Sequence, residues 1–135
     1  GFYQSCALTT AGIVKCWGSN AQSQLGNGST ISSSTPVTVS GLSGVAGLAL
    51  GAYHSCAVTT AGAVMCWGYN YYAQLGDGTT TTRSTPVAVT GLASDVVAIT
   101  AGTEHTCSLN AAGGMKCWGA TSCPILSCRW VIISK

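Results

Sequence analysis

The chain has 135 residues and a formal charge of +2; only 6% are charged, against roughly 25% in an ordinary soluble domain, while the apolar share of 47% is ordinary. Lys15, Arg83, Lys116, Arg129 and Lys135 are scattered and form no stripe, which argues against nucleic acid as a partner, and no apolar run nears the roughly 20 residues of a membrane span. Eighteen glycines among many Ser and Thr, with few charged helix formers, point to an all-β chain of strands and tight turns.

The first predicted element is a hairpin in CALTTAGIVKCWG from Cys6. Cys6 and Cys16 are symmetric about Ala11, so antiparallel pairing sets them opposite one another, with Gly12 third in a three-residue loop whose last position is left-handed. QLGNGST from Gln24 and STPVTVSGL from Ser34 follow. The same order returns 50 residues on, as CAVTTAGAVMCWG from Cys56, QLGDGTT from Gln74 and STPVAVTGL from Ser84. The hairpin appears a third time after a further 51, as CSLNAAGGMKCWG from Cys107.

Within the second unit, four short strands are expected at 55–59, 63–67, 85–89 and 96–100. A period near 50 residues, punctuated by Trp-Gly and free of helical spacing, predicts β-propeller blades of four short antiparallel strands. A β-sandwich uses similar strands but needs no self-similar unit. The units divide as 1–50 and 51–101, with the first hairpin of a third at 102–119 and a divergent tail at 120–135. That is about 2.7 blades, open or completed by other chains, where single-chain propellers use about 4 to 8.

ALGAYHSCAV from Ala49, CWGYN from Cys66, QLGDGT from Gln74 and STPVAV from Ser84 together resemble the repeat of the regulator of chromosome condensation family. The likeness is strongest to its secreted bacterial-type members with paired cysteines, and it covers residues 1–119. It implies a ring of seven blades. Two positions depart from the family pattern: the usual Gly before Gln-Leu-Gly is Ser23 or Ala73, and the usual His before the first strand is Gln4 in the first unit, against His54 and His105 later.

The hairpin register predicts disulfides between Cys6 and Cys16, Cys56 and Cys66, and Cys107 and Cys117, each a non-hydrogen-bonded pair with Cα atoms about 4.5 Å apart. Zinc, the rival, is usually held by closer knuckles of the C-x₂₋₄-C kind, which these hairpins lack. Cys123 and Cys128 stand in the tail, where they could pair around Pro124 or reach another chain. Eight cysteines in so short a chain place it in an oxidising compartment, secreted or at the cell surface, extracellular or periplasmic.

Neither a cofactor nor a metal is expected. His54 and His105 read as structural side chains bonding a neighbouring turn, and Asp77 with its counterpart Asn27 as turn caps; Asn27-Gly28-Ser29 also fits a glycosylation acceptor. With Asp77, Asp95 and Glu104 the only carboxylates and no nucleophile or phosphate-loop motif, an enzyme is not expected. Trp17, Trp67 and Trp118 are equivalent packing residues at hairpin ends. Tyr69, Tyr71 and Tyr72, in YNYYAQLG where the first unit has SNAQSQLG, are the candidate partner-binding residues, with blade packing as the alternative. These readings describe a non-catalytic extracellular protein-interaction module, binding a protein partner or surface. The alternative is a self-assembling structural subunit that forms a ring or filament, its homo-oligomer or parent chain supplying further blades. Nucleotide exchange on a small nuclear GTPase would follow only from the best-known family member, and the cysteines point to another compartment.

Overall fold

The computed structural model describes residues 1–120. The expectations for Cys123, Cys128 and the rest of the tail lie outside the described residues. Among the described residues ten strands form three antiparallel sheets. The first contains β1 (Gln4–Leu8), β2 (Val14–Gly18) and β3 (Ser33–Thr38). The second runs in the order β4 (Val45–Leu50), β5 (His54–Thr59), β6 (Val64–Gly68) and β7 (Arg83–Ala88). The third contains β8 (Val96–Ala101), β9 (His105–Asn110) and β10 (Met115–Gly119). This is an open, incomplete propeller of short-stranded blades. No helix among the described residues is long and apolar enough to cross a membrane.

Each expected strand is present, its ends shifted by at most two residues. Ala63 lies outside β6: its carbonyl takes the Thr59 N–H at 2.9 Å, closing the hairpin, but its own N–H donates to the Thr59 hydroxyl at 3.1 Å because the Thr59 carbonyl is taken by Gly62 N–H. The loop is therefore Thr60-Ala61-Gly62, with Gly62 at a φ of 82°. Gly62 also has a second reason to lack a side chain: a Cβ there would lie 2.6 Å from the Asp95 nitrogen, where the loop meets the start of the next blade. The register sets Cys6 against Cys16, Cys56 against Cys66 and Cys107 against Cys117, with Cα atoms 4.1 Å apart in each bridged pair.

The sheets divide the chain at a different place from the sequence period. β4 follows β3 in sequence but pairs with β5, and β8 pairs with β9 rather than with β7. The last strand of one period thus opens the next blade. This stitches successive units together by backbone hydrogen bonds.

Two apolar clusters fill the spaces between blades. Val14, Cys16, Leu25, Val39, Val45, Ala57 and Trp67 pack between the first and second sheets. Cys56, Val58, Val64, Cys66, Leu75, Val89 and Val96 pack between the second and third, with Trp118 against them. The core is thus a property of blade pairs, so each blade depends on its neighbour for burial.

Candidate functional site

The turn-free ends of the three hairpins are closed alike. There Ser19 N–H donates to the Tyr3 carbonyl at 2.8 Å, Tyr69 N–H to the Tyr53 carbonyl at 3.0 Å and Ala120 N–H to the Glu104 carbonyl at 2.9 Å. These bonds extend each hairpin by one step and hold Tyr3, Tyr53 and Glu104 in repeat-equivalent places. All three immediately precede the first strand of their hairpins.

The segment carrying Tyr69, Tyr71 and Tyr72 is fixed from beneath by two buried amides. Asn70 Nδ2 donates to the carbonyls of Thr79 and Thr81 at 3.0 Å each, and its Oδ1 accepts from Leu75 N–H at 3.0 Å. Gln74 Oε1 accepts from Tyr72 N–H at 2.9 Å. Neither amide is exposed to solvent. The tyrosines are therefore presented by a rigid support, which lowers the ordering cost of any contact they make.

Tyr3 stacks on Tyr53 with ring centroids 6.0 Å apart, Tyr53 meets Tyr69 edge-on at 6.2 Å, Tyr69 stacks on Tyr71 at 6.3 Å, and Tyr71 meets Tyr72 edge-on at 5.1 Å. Phe2 joins at the other end against Tyr3. All five tyrosines and the single phenylalanine of the chain thus form one continuous run across the first two blades. Tyr71 is 67% exposed and Tyr3 60%. Sequence reasoning named Tyr69, Tyr71 and Tyr72 but missed Phe2, Tyr3 and Tyr53. The available signal was the recurrence of Tyr one residue before the first strand in GFYQSC and GAYHSC. Burial pushes the Tyr69 phenol above its ordinary pKa, and Tyr72, Glu104 and Tyr71 add to that.

The remaining candidates have structural surroundings. His54 is buried, its Nε2 hydrogen-bonded to Thr106 Oγ1 of the next blade at 2.9 Å. Asp77 accepts from Thr79 N–H and Oγ1–H at 3.0 and 2.7 Å and pairs with Arg83 at 2.9 Å. Burial alone would raise its pKa, but hydrogen bonds from Thr79, Arg83 and Asn70 outweigh that and hold it below the usual value. Asn27 Oδ1 plays the same part in the first unit, accepting from Ser29 N–H and Asn20 Nδ2 at 3.3 Å each. Among the described residues no three His, Cys, Asp or Glu side chains are grouped to hold a metal.

The Regulator of chromosome condensation (RCC1) repeat model matches residues 12–58 and 61–109, and a second model of the same repeat matches 45–74. No curated protein sequence matches the chain. Among solved structures, human WBSCR16 is 27% identical with a TM-score of 0.77 over 87% of this chain and 31% of that one. Yeast RCC1 (Prp20) bound to Kap60 is 26% identical with a TM-score of 0.73 over 88% and 28%. Prp20p from Saccharomyces cerevisiae, described with its binding properties to Gsp1p and histones, is 26% identical with a TM-score of 0.70 over 88% and 29%. The chain spans about three-tenths of the length of these relatives.

These relatives correct the expected subgroup and compartment. The yeast relatives are nuclear or cytoplasmic, so the secreted bacterial-type subgroup is overturned, together with the extracellular, periplasmic and cell-surface placement of the module. The physical reason lies in the register. Two cysteines facing each other across a hairpin are brought within bonding distance by strand pairing itself, so bridges of this kind follow from the backbone register and a count of cysteines does not by itself assign the compartment.

Proposed function

This chain belongs to the regulator of chromosome condensation repeat family, and from that membership we propose that it is a non-catalytic protein-docking segment of a propeller, with the aromatic end face as its contact surface. The carrying observation is the unbroken run from Phe2 through Tyr3, Tyr53, Tyr69 and Tyr71 to Tyr72, exposed at both ends and held on a rigid support. Large aromatics with a polar tip gain contact area at small entropic cost, and they dominate binding hot spots. The yeast relative supports the reading, since its structures are described with Kap60, Gsp1p and histones as protein partners. Those partners are the yeast protein's own.

Site-specific photo-crosslinking in the source cells tests the proposal. A benzophenone side chain at position 71 should capture protein partners, whereas one at position 61, exposed in a hairpin loop at the opposite end, should not. Capture from 61 with none from 71 would place the docking face elsewhere.

A second proposal concerns assembly. Trp67 and Trp118 are each seated on the preceding blade, while Trp17 has no preceding blade among the described residues. Further blades, from a parent chain or another copy, are proposed to cover that face and the exposed Cys117 at the other.

A further inference from the structure

The end face is not aromatic throughout. The position that holds Tyr3 in the first unit and Tyr53 in the second holds Glu104 in the third. The rings of Tyr69, Tyr71 and Tyr72 lie in succession at 6.3 and 5.1 Å, and the Glu104 carboxylate acts electrostatically on the Tyr69 phenol. Among the described residues no Lys or Arg side chain forms an ion pair with Glu104. Arg83, at this end of its sheet opposite Gly68, is engaged by Asp77, the only ion pair among the described residues. Lys15 and Lys116 lie farther along their hairpins, opposite Ala7 and Ser108, and Lys15 Nζ donates to Thr38 Oγ1.

We propose that this face docks a protein segment bearing exposed Lys or Arg side chains, with the cation over the ring faces of Tyr69 and Tyr71 and beside the Glu104 carboxylate. Resting on the docking reading of the previous subsection, this adds the charge of the partner. Three classes of partner compete for such a face. An acidic segment would be repelled by Glu104. A neutral apolar segment would gain from the rings but would have to cover an unpaired carboxylate, and burying an uncompensated charge is the costliest thing an interface can do. A cationic segment satisfies the carboxylate and is also attracted by the negative faces of the tyrosine rings.

The test uses the full chain and three fluorescent peptides that share one Gly-Ser frame and differ only in carrying arginine, neutral citrulline or glutamate. Anisotropy titrations at low ionic strength should show the arginine peptide binding about tenfold more tightly than the citrulline peptide, with the glutamate peptide weakest. Glu104→Gln and Tyr71→Leu should each weaken the arginine peptide by about three- to tenfold. Leucine keeps the apolar area and removes the ring face, so it separates cation attraction from simple burial. Both substitutions are at the surface, and unchanged circular dichroism would show that the fold is kept. Equal affinity for arginine and citrulline peptides, both lost in Tyr71→Ala, would overturn the charge assignment and leave the docking face standing. Failure of the arginine peptide to bind, or binding indifferent to Glu104→Gln, also overturns the charge assignment. Binding of every peptide unchanged by Glu104→Gln, Tyr71→Leu and Tyr71→Ala would overturn the docking face as well.

Discussion

Ala73 holds a φ of 60° and Ser23 one of 62°. Left-handed backbone costs a residue with a side chain roughly 1 kcal/mol, a penalty that glycine escapes. Both residues stand just before Gln-Leu-Gly, where the family pattern has glycine, so the chain carries this strain at each repeat. Ala73→Gly is expected to stabilise the fold by about 0.5 to 1 kcal/mol in urea unfolding. A loss of stability would mean that the Ala73 methyl contributes more by packing than its backbone costs. His54 provides a second test at this scale. The Thr106 hydroxyl gives its one proton to the Gln74 carbonyl at 2.8 Å, so His54 Nε2 must be the donor in its bond to Thr106. Burial first, and then the nearby His105, lower its pKa from 6.5 to about 4, against a smaller opposing contribution from the His105 backbone. The unfolded chain takes up this proton near pH 6.5, whereas the folded chain resists it until about 4. Stability is therefore full above pH 6.5 and declines as pH falls toward 4, by about 3 kcal/mol in all. His54→Gln, matching Gln4 of the first unit, should flatten that part of a stability profile measured by urea midpoints.

Between elements, the decisive unit is the joint by which one blade seats the tryptophan of the next. A bulge in the pairing of β6 with β7 falls at Trp67, between Cys66 and Gly68, and the Trp67 side chain reaches the preceding blade. There Trp67 Nε1 donates to the Gln24 carbonyl at 2.9 Å and the ring lies over Gly26, where a Cβ would come within 2.7 Å of it. The joint recurs one blade on, with Trp118 Nε1 donating to the Gln74 carbonyl at 2.9 Å above Gly76. The Gln-Leu-Gly signature is thus a socket: a carbonyl to accept, a leucine to fill the core and a glycine to admit the ring. Trp67→Ala should cost about 3 to 5 kcal/mol, as for other buried large aromatics. Trp17 is only partly buried and has no socket among the described residues, so Trp17→Ala should cost distinctly less. Equal losses in parallel unfolding experiments would show that the seat contributes nothing beyond the hairpin itself.

For the whole molecule, stability is shared between neighbours. Three sheets provide two inter-blade spaces, and both are filled by apolar side chains. The two outer faces are open among the described residues, with Cys117 exposed although its counterpart Cys66 is fully buried. Open terminal blades in repeat proteins normally need polar caps, and a chain with so few charges has little repulsion to keep copies apart. Sizing of this chain at low micromolar concentration should therefore give species larger than its 13.5 kDa mass, dissociating on dilution. A compact monomer stable to heat would show that the outer blades need no cover.

The sequence by itself determined the blade. Alternation and loop length decide which residues oppose each other in a hairpin before any tertiary contact forms, which is why the pairing of Cys56 with Cys66 and the left-handed Gly62 were legible from spacing alone. The period likewise announced the propeller. Tertiary structure alone decided which sheet β4 and β8 join, since both pairings are antiparallel and locally equivalent. It also assembled the aromatic face. Tyr3 and Tyr53 are separated by 50 residues, and their stacking at 6.0 Å depends on the angle at which one blade leans on the next, a quantity set by the packing around Trp67 and encoded in neither segment alone.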